Sequence, residues 1–246
     1  MKAISIFLAA AAEKGEHTAL EKASTASMDL LAQKSELGLL RVVPPGQPQN
    51  GRKEFLAALG AVDLSEKGDL RKLYGFNAAL LFFGKGPEAE GRQLSLSLFP
   101  LELRKEEKPY EALLPATHRI FAAGYNFLCL YLDAGIGCKQ DEKIQRLTEI
   151  DRKLIGPLLA ALAVEEEEYS LLLTAGAFSP CAEGEDSHPL PFLIYRSQRD
   201  GNPAGSAFSE KAAAASGLLL PESPMLMQRF SGKYHCELLF DTVSGI

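Results

Sequence analysis

The chain has 246 residues, 46% of them apolar and 24% charged, which is enough to bury a substantial core and too balanced for a disordered, collagen-like or coiled-coil chain. Its 26 Lys and Arg against 32 Asp and Glu give a formal net charge of −6, so no overall field draws it to nucleic acid or anionic lipid. The four Cys form no CxxC pair, which leaves neither a zinc-ribbon spacing nor a disulfide framework; they read as reduced thiols in a cytoplasmic protein.

No stretch approaches the ~20 apolar residues of a spanning helix. Residues 3–12 come nearest and mimic a short secretory signal, with Lys2 before an apolar run and small residues after it. We read them instead as a buried first strand over 4–8 followed by an alanine-rich turn. Ser27 is placed to cap a helix through Met28, Leu30 and Leu31. A strand over 39–43 ends at Pro44-Pro45-Gly46, and a short helix carries Phe55, Leu56 and Leu59 up to Gly60. Residues 79–83 form the next apolar strand, and Leu94, Leu96 and Leu98 alternate with serines at the period of a half-buried strand. The polar stretch 102–108 reads as a linker or a trimmed insertion. A buried strand follows over 127–132. The helix over 143–162 keeps Ile144, Leu147, Leu154, Leu158 and Leu162 near one face, with Gly156-Pro157 placed to bend it. Strands over 171–174 and 192–195 and a helix over 207–216 complete the chain. This alternation points to one α/β domain with a largely parallel sheet and helices on both faces.

Residue types alone show no catalytic constellation. His17, His118, His188 and His235 are never three or four apart, and there is no HExxH, Walker A loop, GxSxG or GxGxxG. Gly84-Lys85-Gly86 reads first as a strand-ending turn. Cys138 lies in a glycine-rich loop after a buried strand, where open α/β sheets place ligands, but a free Cys is more often a packing residue. His188 is either a polar loop residue or a site residue.

The order of segments resembles the archaeal-type, 2,3-bisphosphoglycerate-independent phosphoglycerate mutases of the alkaline phosphatase superfamily. Residues 18–32, TALEKASTASMDLLA, are similar to that family's TPLEAAxTPNMDxLA. Gly38-Leu39-Leu40, Val43-Pro44-Pro45-Gly46 and Leu59-Gly60 follow in register, and Gly84-Lys85-Gly86-Pro87 resembles GRGP. Ile150-Asp151 with Ile155-Gly156-Pro157-Leu158-Leu159 matches IDxxIGPLL, and Thr174-Ala175 with Pro180 brackets TADHSTP. Pro189 to Ile194 matches DPVPFLI, and Phe208-Ser209-Glu210, Ala213, Gly217 and Leu226-Met227 match the closing pattern. Each match is weak; in order, from end to end, they are specific.

The resemblance implies an alkaline-phosphatase-like core over 1–246, two divalent metals such as manganese, and a transiently phosphorylated Ser. Carried over residue by residue, those groups are missing. The first metal Asp falls in Ala9-Ala10-Ala11, and the nucleophile and its neighbour fall on Gly51 and Arg52. A metal His becomes Ile136, with Asp133 the one remnant; an Asp-His pair becomes Gly176-Ala177, and a further His becomes Glu185. The inserted lid domain is missing or reduced, with 102–108 as its remnant. The expectation is therefore a pseudoenzyme with no metal and no catalytic residue. It would bind a phosphorylated small molecule or a protein partner, with Arg52 and Lys85 as anion-binding groups, and neither nucleic acid nor membrane. The alternative is an active mutase or related phosphoryl-transfer enzyme that interconverts 2- and 3-phosphoglycerate, as the family name implies. A third option is a different chemistry through Arg52, Lys85 or Cys138. The sequence leaves the oligomeric state open.

Overall fold

Continuous apolar runs, rather than alternating ones, mark strands buried on both faces, and the first of them becomes the centre of the molecule. The structure, a computed structural model, describes residues 2–44, 49–61, 67–103, 108–165, 167–177, 188–198 and 207–233. Strand β1 (Lys2–Ala9) sends Ile4, Ile6 and Leu8 into one core cluster and Ala3, Phe7 and Ala9 into another on the opposite face. Helices α1 (Ala19–Lys22) and α2 (Ala26–Ala32) lead to β2 (Glu36–Leu40). Helices α3 (Gly51–Ala58) and α4 (Leu70–Tyr74) precede β3 (Ala78–Phe83), and α5 (Glu88–Gln93) precedes β4 (Ser97–Leu101). Then come α6 (Pro109–Ala122), β5 (Phe127–Asp133), α7 (Gln140–Ile150), a π-helical turn (Asp151–Ile155) and α8 (Gly156–Val164). Strands β6 (Tyr169–Ala175) and β7 (Leu190–Arg196), helix α9 (Glu210–Ala215), the short β8 (Leu219–Leu220) and α10 (Ser223–Ser231) complete the described chain.

The eight strands form one sheet in the order β4-β3-β5-β1-β6-β7-β2-β8. β1 pairs in parallel with β5 and β6, β3 with β5 and β4, and β2 with β8. Only β7 runs against its neighbours, antiparallel to both β6 and β2. Helices cover both faces. Residues of α1, α2, α6, α7, α8 and α9 pack into the cluster around Ile6, and residues of α3, α4 and α10 pack into the cluster around Phe7. The expected α/β class, the largely parallel sheet and the helices on both faces are all present.

Several local expectations shift. The strand expected over 39–43 runs over Glu36–Leu40. Leu94 and Leu96 are not in a strand; they close α5, where Ser95 takes a left-handed φ of 59°, and the strand begins at Ser97. Both leucines are buried, so they keep the periodic signal of a strand while serving a helix end. Helix α6 went unread because Pro115 stands inside it and removes a backbone donor. The long helix spans 140–164, and its irregularity is the π turn before Gly156-Pro157. There Gly156 N–H donates to Asp151 O, widening the turn just ahead of a proline that has no N–H to give. The stretch 102–108 lies between β4 and α6, and its residues 104–107 are outside the described residues.

Candidate functional site

In an open α/β sheet, ligands bind at the C-terminal ends of the parallel strands. Here three backbone bonds tie those ends together. Gly176 N–H donates to Leu8 O (2.9 Å), Ala12 N–H to Gly176 O (3.0 Å), and Ala134 N–H to Ala9 O (2.9 Å). Residues 9–12, 133–136 and 176–177 therefore meet at one edge. Helix α3 lies over it: a Cβ placed on Gly176 would fall 2.9 Å from Glu54 Oε2 and 2.7 Å from Phe7 Cζ. Gly51 and Arg52 lie in the first turn of α3, which also carries Glu54. Glu185 lies outside the described residues.

Each of these positions has a structural occupation. Ala9 and Ala11 are fully buried in the core, and Ala10, 4% exposed, adopts a left-handed φ of 62°, a conformation an alanine seldom takes. Gly51 is buried at the N-terminus of α3, where Asn50 Oδ1 accepts from Lys53 N–H (3.0 Å). Arg52 Nη2 donates to Gln93 Oε1 (2.9 Å), and its Nε faces Glu90 Oε1 at 3.2 Å. Asp133 Oδ1 accepts from Gly135 N–H (2.8 Å) and Ile136 N–H (2.7 Å), while Oδ2 pairs with Arg146 at 3.3 Å. Both of its oxygens thus shape and anchor a loop. Ile136 is 41% exposed at the tip of that loop, and Ala177 packs into the core cluster on the α7 side. Lys85 is exposed after Gly84.

The space facing Gly176 is filled by the chain itself. Phe7 and Tyr131 stack with centroids 5.8 Å apart, and Phe55 sits edge-on to both at 5.4 and 5.5 Å. Burial, then the charges of Asp133, Glu90 and Glu54, push the Tyr131 hydroxyl far above the usual phenol range. Glu54, fully buried, accepts from Gln49 Nε2 (3.0 Å), which also donates to His188 O (3.0 Å). Gln49 Oε1 is buried with no hydrogen-bond partner among the described residues. Residue types alone did not single out Glu54 or Gln49, because one Glu on a short helix gives no motif.

The described residues at this edge do not fit two divalent metals. Among the described residues no group of three or more His, Cys, Asp or Glu converges as a metal site. Asp133 is committed to two N–H donors and a guanidinium, and the space beside Gly176 holds an aromatic ring and a carboxylate. The hydrogen bond of Cys138 to Glu142, then burial, raise the thiol above its usual range, which disfavours the reactive thiolate.

Several residues of the segments that resemble the family hold the frame. Thr18 Oγ1 accepts from Glu21 N–H (3.3 Å) to cap α1 and donates to Glu210 Oε2 (2.7 Å), and Glu13 N–H donates to Glu210 Oε1 (2.8 Å). Asp29 Oδ1 accepts from Phe208 N–H at 3.0 Å. Asp151 takes the N–H groups of Ser27 (3.0 Å) and Met28 (2.8 Å), capping α2 from the neighbouring helix.

A mixed sheet with one reversed strand, helices on both faces and loops gathered at one edge define an α/β protein. No family model matches the chain, and no curated protein matches it in sequence. Solved structures do match its fold. The PH0037 protein from Pyrococcus horikoshii has a TM-score of 0.73 at 18% identity, covering 95% of this chain and 97% of that one. The cofactor-independent phosphoglycerate mutase from Thermoplasma acidophilum has a TM-score of 0.64 at 12% identity, covering 94% and 99%. A protein in the alkaline phosphatase superfamily from Vibrio parahaemolyticus has a TM-score of 0.54 at 10% identity, covering 82% and 61%. At these identities the likeness is one of fold. No helix among the described residues is long and apolar enough to cross a membrane.

Proposed function

We propose that this chain is a non-catalytic relative of the cofactor-independent phosphoglycerate mutases, which keeps their core as a scaffold for binding. One observation carries the reading. Where the resemblance expects a nucleophile and metal ligands, the edge holds Gly51, Ala9, Ala10, Ala11, Gly176 and Ala177, and the one remnant carboxylate, Asp133, is committed to its own loop. A phosphoryl group in transit needs an oxygen to attack it, and Gly51 has none. The left-handed Ala10 is consistent with a backbone inherited from a functional turn, since strain of this kind concentrates at active sites. We read 102–108 as the trimmed remnant of a lid; without a lid, water would have free access to any phosphoryl transfer.

The ligand proposed for this edge is a phosphorylated small molecule, or a phosphorylated group on a partner protein. Arg52, with a side chain 56% exposed, and Lys85 would supply its charge-assisted hydrogen bonds. An anion must compete with Glu90 for the guanidinium, so binding is expected to be weak.

A coupled assay with 3-phosphoglycerate and added manganese tests the reading, with no turnover above background expected. A modest rise in melting temperature with phosphate or phosphoglycerate, lost in Arg52→Ala, would support the anion site. Turnover that a chelator abolishes overturns the proposal in favour of an active mutase. Turnover that survives the chelator but is lost in Cys138→Ala points to a different chemistry at this edge.

A further inference from the structure

A helix on a protein surface normally turns charged and polar residues to solvent. Helix α8 does not. Its sequence, GPLLAALAV, contains no charged or hydrogen-bonding side chain. Leu158 and Leu162 are buried against the core, while Pro157, Ala160, Ala163 and Val164 are exposed and Gly156, Leu159 and Ala161 are half-buried. Val164 is 83% exposed, more than any other large hydrophobic side chain among the described residues. This face lies on the side of the molecule built by α7 and α8, and it does not depend on how the C-terminal edge of the sheet is read.

The charges at its two ends indicate what covers it. Just before α8, Arg152 is exposed and forms no ion pair among the described residues. Just after α8 comes an acidic run. Lys2 pairs there with Glu165 and Glu167, and Glu168 is exposed with no ion pair among the described residues. A helix that is basic at one end, acidic at the other and apolar between them is complementary to itself when turned end for end. A parallel pairing would set like charges together. The contact is then isologous, as in a two-fold dimer.

We propose that α8 is a self-association surface on which a second copy of this chain docks antiparallel, about a two-fold axis near Ala160. In this arrangement Gly156 and Pro157 of one copy meet Val164 and Ala163 of the other, and Arg152 faces the acidic run. The small side chains let the helices approach at the close end of the usual ~8–10 Å separation. Removing Val164 and the half-exposed Leu159 from water supplies the drive, and the end charges set the direction.

The test is the mass of the full chain in solution, by light scattering after size exclusion and by sedimentation across a concentration series. A dimer is expected that Ala160→Glu converts to monomer. Val164→Glu, at a side chain with almost no contact in the single chain, should do the same with an unchanged circular dichroism spectrum and melting temperature, which separates dissociation from unfolding. Because residues near a two-fold axis meet their own copies, Ala160→Cys should give a disulfide-linked dimer under mild oxidation, beyond any formed by the wild-type chain with its native cysteines. Arg152→Glu should weaken the dimer roughly tenfold at low salt, as expected for reversing a charge at an exposed contact, and adding Glu168→Arg should restore it. A chain that is monomeric throughout overturns the proposal. So does a dimer that survives both glutamate substitutions and yields no additional cross-link in Ala160→Cys.

Discussion

Gly176 shows at the residue scale how the edge has been closed. A methyl group there would press on Phe7 and on the Glu54 carboxylate, both buried with nowhere to retreat. Gly176→Ala should destabilise the fold by about 1–3 kcal/mol, the usual cost of overpacking, read as a lower urea midpoint. Gly176→Asp should cost more, since it adds a second carboxylate beside Glu54, and manganese should not restore the loss. If manganese did stabilise Gly176→Asp above the wild-type chain, the edge would still be able to gather a cation, and our account of its filling would fail.

Single side chains joining neighbours govern the scale of elements. The N-cap residue of helix α2, Thr25, makes no side-chain cap to a backbone N–H, and the helix takes Asp151 from the π turn instead, through two backbone N–H groups. Asp151 is 4% exposed, so its loss would leave two amide donors without their acceptor. Asp151→Ala should cost about 2–3 kcal/mol, combining a lost cap with poorly satisfied N–H groups. Asp151→Asn, which keeps one good acceptor, should fall between. Equal stability of Asp151→Ala and wild type would show that water replaces the carboxylate without penalty. The same contact gives the aspartate of Ile150-Asp151 a structural role: it positions a helix.

At the scale of the whole molecule, carboxylates shifted in opposite directions shape the response to pH. Burial pushes Glu36 upward, but hydrogen bonds from Arg229 and Arg196 outweigh it and hold the carboxyl below its ordinary value. Glu13 is likewise held down, with burial opposed by Gln140, Lys143 and the Ala19 N–H. A depressed carboxyl contributes stability that is present above its unfolded value and lost as pH falls through the folded one. Glu210 and Asp29 are raised, chiefly by burial, despite bonds from Glu13 N–H and Thr18 to the first and from Phe208 N–H to the second. Their contribution is full below the ordinary carboxylate value and lost as pH rises through the raised one. Urea midpoints measured from acid to neutral pH should therefore fall on the acid side less steeply in Glu36→Gln. The decline just above the ordinary carboxylate range should shrink in Glu210→Gln. Wild-type profiles in both variants would show that these carboxylates do not set the pH response.

Local physics put much of this protein within reach of its sequence. Apolar runs at 4–8 (interrupted by Ser5), 79–83 and 127–132 marked buried strands, and the apolar spacing along 143–162 marked the long helix, because burial on a periodic backbone leaves a periodic trace. Equally legible was that Gly51, Ile136 and Ala177 carry no nucleophilic or metal-binding side-chain atom, whatever the fold does. The tertiary structure decided what occupies the space at this edge. That Phe7 and Glu54 press against Gly176, that Gln49 joins Glu54 to the strand entering from His188, and that Asp133 turns back on its own loop are contacts between distant segments. It also decided that Leu94 and Leu96 close a helix, and that α8 turns an apolar face away from the core of its own chain. Both depend on which neighbour covers a side chain, and one-dimensional periodicity records that a residue is apolar without recording what, if anything, lies over it.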